Sequence, residues 1–448
     1  PSGVFRHLKA AMNTKGYSRI PRELFYWITF LTQTLPPRSI GTFIELLIGA
    51  MLTSSGFVTD AYLMLDMSRH WSSYYKWLEK GRWSWLALAR QFIRLLMQVV
   101  KEDVIHLAID DTLTLRASKK APASKIHHQH GNKPNLSQYV QGQCWVNLAW
   151  VVRFKGQRHV ALPLLTRLIP SVGNTGKLVA ANTLIRAVYQ LFEGKTVRVL
   201  VDSWYMRRLF IESMLQRGFH VIGQARIDTR LYDEPVKKRK KQRGRPRKYG
   251  DKYTPKRIAH LKRTVVTLPL YGKEQVVRYR SKLVKARFLD GLLVRAVWCE
   301  FKSDHGQWKR ASLLLCTDTS LSAEQVIESY GKRWSIESMF NQLKLSWGLK
   351  EAWQQTRQTL HRWVHLTMVG YGLVQLLGYL NTSAVQALCQ HSPWRRENPT
   401  TAGQIRKGLL MNFRHVNVRA WWDGKCKKFE PPNWRGSEYV ESNTINTV

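Results

Sequence analysis

Residues 104–112 read VIHLAIDDT, and residues 197–204 read VRVLVDSW. Each is a short, nearly continuous apolar run that ends in aspartate, the pattern of a strand buried on both faces. In an α/β sheet, ligands gather outside the carboxyl ends of the strands, so aspartates ending two strands are expected to lie close together. Carboxylates held that close repel one another unless something neutralises them, and a hard divalent cation does so with oxygen ligands. A second reading stands beside this one: an aspartate that ends a strand also caps the turn or helix that follows it.

Between these two strands, residues 138–154 (QYVQGQCWVNLAWVVRF) and 159–168 (HVALPLLTRL) read as longer β segments, and residues 177–193 as a helix. After VRVLVD come a helix over 203–217, stopped by Gly218, and a strand over 219–225 (FHVIGQA). Three strands in series, then alternating helix and strand, predict a mixed sheet covered by helices. Past Ala225 the alternation breaks. A basic run is followed by β segments at 263–270, 275–284, 292–301 and 310–317, and a long helix then starts near Ser322, with Gln325 as its capping-box partner. The pattern predicts a mixed α/β core, residues 103–225 and 317–380, interrupted by a β-rich insertion over 226–316.

The flanks read differently. Residues 1–102 form an expected helical N-terminal domain: 43–52 and 58–67 carry helical apolar spacing, Ser72 caps a helix stopped by Gly81, and Ser84 caps one over 85–99. Between them, residues 69–83 (RHWSSYYKWLEKGRW) alternate basic and aromatic side chains, as suits either a helical DNA-reading domain or a plain bundle with an aromatic core. Residues 381–448 form a basic C-terminal region, expected to be helical, that carries Trp421, Trp422 and Trp434 and is a candidate for synapsis or DNA-end contacts. The whole is expected to be a multidomain α+β protein.

Charge narrows the partner. The 448 residues carry 71 Lys and Arg against 30 Asp and Glu, a formal charge of +41, which calls for a polyanion, either nucleic acid or an acidic membrane surface. A hydrophobic content of 44% excludes wholesale disorder. The most apolar stretch, 363–380, is interrupted by His365, Thr367 and Gln375, so it reads as a buried helix rather than a membrane span. No signal peptide is expected from the first residues, which lack its charged-then-apolar layout. Five scattered cysteines, with no C-x-x-C pair, argue against a disulfide framework or a zinc ribbon and fit a reducing compartment.

The helix after Ser322 carries the sharpest signal. At about 100° per residue, Arg333, Glu337 and Lys344 fall within about 60° of Tyr330 on one stripe. A carboxylate flanked by an aromatic and two cations suits a metal ligand beside groups that hold phosphates. The alternative is a salt-bridged face with Glu337 pairing Arg333 or Lys344. The spacing Tyr330-x-x-Arg333-x-x-x-Glu337-x-x-x-x-x-x-Lys344 resembles the Tyr-Arg-Glu-Lys signature of a family of bacterial insertion-sequence transposases of the DDE class. The likeness runs over roughly residues 40–380 and includes AIDDT, VLVDSW and a β-rich insertion ahead of the glutamate.

That resemblance implies a ribonuclease-H-like core. It also implies a metal-binding triad at Asp111, Asp202 and Glu337 for two Mg²⁺ ions, with Mn²⁺ as a substitute, and DNA contacts from Tyr330, Arg333 and Lys344. Asp110 is the alternative first carboxylate, because a strand points neighbouring side chains to opposite faces. An insertion-domain aromatic that stacks on a flipped base is implied too, with Trp298 and Trp308 as candidates. The implied activity is cut-and-paste transposition. Terminal inverted repeats are bound, double-stranded DNA is cut, and the freed 3′-OH attacks the opposite strand to form a hairpin or attacks target DNA. A homodimer holding both ends, in the bacterial cytoplasm on the nucleoid, belongs to the same expectation. Two competitors remain: a catalytically silent DNA-binding relative, and a ribonuclease-H-like nuclease acting on branched DNA.

Two softer signals complete the reading. Residues 237–248 (KKRKKQRGRPRK) hold nine basic residues, with Arg243 and Arg245 in an AT-hook-like core, and serve either a minor groove or phosphates without sequence preference. His127, His128 and His130 have no partner at zinc-ligand spacing, so a loop touching DNA is preferred over a metal site.

Overall fold

In the computed structural model, which describes residues 19–128, 137–170, 174–236, 247–395 and 399–432, the helical periodicity of the N-terminal region becomes α1 (Arg22–Thr32), α2 (Pro37–Leu52), α3 (Val58–Leu63) and α4 (Trp71–Lys80). Pro37 opens α2, a position where its missing N–H costs nothing and its fixed φ suits the helix. Helix α4 begins one residue before Ser72: His70 stands at its N-cap, and the His70 Nδ1 meets the Ser72 Oγ at 2.9 Å, so Ser72 is not the cap expected of it.

Next come α5 (Trp85–Val99) and strands β1 (Val104–Leu115), β2 (Lys125–His128), β3 (Tyr139–Arg153) and β4 (His159–Leu168). They are followed by α6 (Asn174–Val188), β5 (Thr196–Val201), α7 (Arg208–Leu215) and β6 (His220–Ala225). Strand β3 pairs antiparallel with both β1 and β4, whereas β1–β5 and β5–β6 are parallel. The resulting order, β4-β3-β1-β5-β6, is a mixed sheet that fits a ribonuclease-H-like core. Trp145 and Trp150 on β3 are wholly buried, and each such side chain contributes about 2–3 kcal/mol by leaving water.

The segment after Ala225 forms β7 (Leu231–Tyr232), α8 (Pro255–Ala259), β8 (Thr264–Leu270), β9 (Lys273–Ala286), β10 (Leu292–Phe301) and β11 (Ser312–Cys316). These strands are β-rich as expected, and they extend the core sheet. Strand β11 pairs antiparallel with β6, and β10 and β9 follow it outward. Leu314 and Cys316 of β11 pack in one apolar cluster with Leu200 and Ile222 of the core strands, which is why the sheet continues without a break.

The chain then runs through α9 (Ala323–Gly331), a 3₁₀ turn (Lys332–Trp334), α10 (Ser335–Ser346) and α11 (Arg357–Leu380). Ser322 and Gln325 form the expected capping box. The single long helix is a correction: one tight turn divides α9 from α10. Helices α12 (Ser383–Leu388) and α13 (Ala402–Phe413), with strands β12 (Trp422–Asp423) and β13 (Lys428–Phe429), complete the described chain.

Two compact units result. One is Trp85–Val369, and the other joins the described residues on either side of it. In the latter, Glu45 of α2 is wholly buried and is held by Arg419 at 2.8 Å and by the Ser68 N–H at 3.0 Å. Phe25 meets Trp421 and Phe429 edge-on, so the C-terminal segment shares a core with the N-terminal helices. No helix among the described residues is long and apolar enough to cross a membrane.

Candidate active site

Register places the aspartates. The parallel β1–β5 pairing ends with Ile109 opposite Val201, so Asp110 and Asp202 are the next residues beyond it; β1 itself continues to Leu115, with Asp110 still paired to Asn147 of β3. Asp202 uses one oxygen for the turn that follows, its Oδ1 accepting the Trp204 and Tyr205 N–H groups at 3.0 and 3.2 Å. The turn-capping role open to a strand-ending aspartate is therefore filled here by one oxygen of Asp202. Burial raises its pKa above the ordinary value, the two N–H bonds and Arg333 oppose that, and Asp111 adds to it.

The neighbouring aspartates diverge. Asp110 accepts from Arg333 Nη1 at 3.0 Å and from the Asp111 N–H at 2.8 Å. Its carboxyl is pushed up to about 7, chiefly by burial, with Arg333 pulling down and Asp202 and Asp111 pushing up. Asp111 instead meets Lys177 Nζ at 2.8 Å, the Tyr205 hydroxyl at 3.2 Å and the Cys144 thiol at 3.6 Å. Lys177 lies on α6 and also covers the Trp204 ring, 5.2 Å from its centroid. Burial and then Asp111 raise the Cys144 pKa, which keeps the thiol protonated.

Glu337 joins this group through a guanidinium. Arg333, in the 3₁₀ turn, donates from Nη2 to Glu337 Oε1 at 2.9 Å while Nη1 holds Asp110. Gly331, at the end of α9, packs against β8: a Cβ there would stand 2.8 Å from Leu270 Cδ2. Tyr330 sits under Arg333, 5.7 Å from ring centroid to guanidinium carbon, and its hydroxyl donates to Gln224 Oε1 at 3.4 Å. Burial pushes the Tyr330 phenol up to about 12 against the pull of Arg333. The structure thus gathers Tyr330, Arg333 and Glu337 with Asp110 and Asp202. Lys344 stands half-buried seven residues past Glu337 on α10.

The chemistry of the donors suits a hard cation, since Asp110, Asp202 and Glu337 offer only carboxylate oxygen. Among the described residues, however, no three His, Cys, Asp or Glu side chains stand close enough to cage an ion. One guanidinium stands between Asp110 and Glu337 and supplies positive charge to both carboxylates.

Three site expectations fall elsewhere. Trp298 of β10 is buried against Tyr253, with ring centroids 5.8 Å apart, and the Arg278 guanidinium covers Trp308 at 4.4 Å. Arg243 and Arg245 lie outside the described residues, as does His130. His127 and His128 lie on β2, where His128 Nε2 meets Gln138 Nε2 at 3.1 Å.

The sequence profile described as DDE superfamily endonuclease matches residues 45–284, more than half the chain. The chain belongs to the DDE endonuclease superfamily. No curated protein matches it. The matched span holds Asp110, Asp111 and Asp202 and ends before Glu337, so the glutamate rests on geometry and spacing alone. Within this DDE endonuclease, sequence reasoning passed over Lys177 and Tyr205, which have no fixed spacing to Asp111 and meet it only after α6 and the Asp202 turn fold against β1. It also passed over Tyr271, which tips the β8–β9 hairpin, is 53% exposed and meets the 53%-exposed Trp334 edge-on at 6.4 Å, beside Arg333. Tyr271 has φ 56° and the next residue, Gly272, φ 78°, the pair of positive angles a tight two-residue hairpin turn requires. A Tyr-Gly pair after an apolar strand was the available signal.

Proposed function

We propose that the chain is a DNA transposase of the DDE superfamily, with Asp110, Asp202 and Glu337 as its metal-holding carboxylates. The observation that carries the reading is the convergence of these three on one guanidinium and one strand register. It favours Asp110 over Asp111, because Asp111 is engaged by Lys177, Tyr205 and Cys144. Bound Mg²⁺, or Mn²⁺ in its place, would activate the attacking oxygen and stabilise the leaving one in phosphodiester cleavage.

The chain's own residues account for the rest. Arg333 keeps the carboxylates from repelling one another before DNA arrives and then turns to a phosphate beside the scissile bond. Tyr330 fixes Arg333 from below, and Lys344 holds a phosphate further along the same strand. Asp202 holds its turn through two N–H bonds to one oxygen, which leaves the second oxygen for the metal. Tyr271 and Trp334 offer exposed ring faces to bases at the cut. Recognition of terminal inverted repeats belongs to the helical unit, where Trp71 is 49% exposed on α4. Pairing of two ends by a homodimer, a hairpin intermediate and residence on the bacterial nucleoid complete the proposal.

The test is cleavage of DNA carrying the flanking terminal repeats, with MgCl2, by the natural chain and by Asp110→Asn, Asp111→Asn, Asp202→Asn and Glu337→Gln. Loss of cutting in Asp110→Asn, Asp202→Asn and Glu337→Gln, with DNA still bound, is the expected result. Cutting that survives Glu337→Gln refutes the site. Binding without cutting by the natural chain favours a silent DNA-binding relative, and cutting confined to branched DNA favours a structure-specific nuclease.

A further inference from the structure

A cavity of about 440 Å³ opens next to the Asp202 turn, lined by Arg207 and Arg208 at the start of α7, Arg226 and Arg230 after β6, and Arg287 after β9. Two of these cations are already satisfied: Arg208 pairs with Glu212 at 2.7 Å and Arg226 with Asp228 at 2.9 Å. Among the described residues no carboxylate pairs with Arg207, Arg230 or Arg287. All three are exposed. Asp228 also lines the hollow, but Arg226 holds both of its oxygens, so the guanidinia of Arg207, Arg230 and Arg287 face one another with repulsion that a further anion between them would relieve. Helix α7 adds to the deficit, since Arg207 stands at its N-cap, no side chain caps the helix, and its first turn carries no acid. The lining also has an apolar part, with Met206 and Ala225 buried and Phe288 half-buried, whereas the arginines are exposed.

We infer that this cavity seats one nucleotide of a single DNA strand, its phosphate on Arg207, Arg230 and Arg287 and its base over Phe288 and Met206. The volume admits a nucleotide, and the division into a cationic part and an apolar part matches a ligand with a charged end and a flat, weakly polar body. Ser203, the residue after Asp202, also lines the cavity, which places it beside the proposed carboxylates on the chain. This inference rests on the reading that the chain acts on DNA.

The probe is a fluorescein-labelled oligothymidylate, titrated with the full-length chain in EDTA at several NaCl concentrations and followed by anisotropy. Arg230→Ala/Arg287→Ala should weaken binding about fivefold or more and lower the slope of log K against log salt by about 0.7 for each phosphate no longer neutralised. Phe288→Ala should weaken binding about fivefold with the salt slope unchanged. Lys256→Ala/Arg263→Ala removes two exposed cations elsewhere on the same unit and serves as the control. Equal losses in the control and the pocket pair, or no effect of Phe288→Ala, overturn the inference. Because the assay needs neither metal nor cutting, the two readings fail separately. Pocket-dependent binding by a chain that cleaves nothing sinks the transposase reading alone, while cleavage with no pocket dependence sinks only this one.

Discussion

Replacing Arg333 with alanine removes a guanidinium that touches both Asp110 and Glu337. The Arg333 side chain is 12% exposed and that of Asp110 16%, so the pair is largely shielded from water, whereas Glu337 at 36% is partly solvated. Breaking a buried pair from one side costs roughly 3–5 kcal/mol, because the remaining charge is left without compensation. The Glu337 half adds at most about 0.5 kcal/mol, since exposed pairs are worth little. The lower end, about 3 kcal/mol, corresponds to a fall of about 6–12 °C in the Tm of the transition that includes this unit. A divalent cation at a hundred times its Kd should restore about 2.7 kcal/mol in the variant by mass action. It should restore less in the natural chain, where the guanidinium competes for the same oxygens. Calorimetry of both chains in EDTA and in saturating MgCl2 reads the difference. The reasoning is refuted if Mg²⁺ leaves the variant's transition unmoved, or if it raises the natural chain's Tm by the same amount.

Three further outcomes are expected. Arg116→Ala should cost roughly 3–5 kcal/mol in urea unfolding, because this buried guanidinium binds Gln143 Oε1 at 2.8 Å and the carbonyls of Leu115, Lys350 and Ala352, tying the end of β1 to the turn after α10; a loss under about 1 kcal/mol would show that the tie is not structural. Tyr271→Gly should stabilise the hairpin by about 1 kcal/mol, because glycine adopts the positive φ without strain, while weakening DNA binding; unchanged DNA affinity would remove Tyr271 from the interface. His365, wholly buried, accepts the Thr166 N–H at Nε2 and faces the His361 carbonyl at Nδ1, and burial holds its pKa down to about 4, so the unfolded chain binds its proton first as pH falls from 6.5. The natural chain should therefore lose roughly 3 kcal/mol between pH 6.5 and 4 that His365→Gln does not, and parallel pH profiles for the two would contradict this.

The sheet was legible because its strands announce themselves in composition. VIHLAID and VRVLVD are apolar runs of strand length ending in acid, and their parallel neighbours follow from the helix between them. The continuation of the sheet through β11 was not legible. RASLLLCT looks the same whether it pairs within a separate domain or against β6, and only the shared cluster of Leu314, Cys316, Ile222 and Leu200 decides between them. The break between α9 and α10 was hidden for a related reason, since Lys332–Trp334 keep right-handed helical angles at both ends and differ from a helix only in a tighter turn. The grouping of the C-terminal residues with α2 needed Glu45 to find Arg419 across most of the chain's length, which no local pattern encodes.

The pair Asp110–Asp111 shows how far spacing reasons and where tertiary contact takes over. Adjacent strand residues face opposite sides, so the strand period alone defines two candidate carboxylates, and it is the likeness to the transposase family that puts the role on Asp111. What distinguishes them is what each side of β1 is packed against. Toward Asp111 come Lys177 from α6, the Tyr205 hydroxyl and Cys144, a set that neutralises and encloses one carboxylate. Toward Asp110 comes Arg333, already shared with Glu337, and Asp202 follows Val201, the register partner of Ile109. A carboxylate whose charge is met by a lysine, a hydroxyl and a thiol has no electrostatic need for a metal. One that shares a single cation with a second carboxylate and lies beside a third does. The same guanidinium that makes Glu337 look like an ordinary salt-bridge partner is therefore the strongest argument that it is more than one.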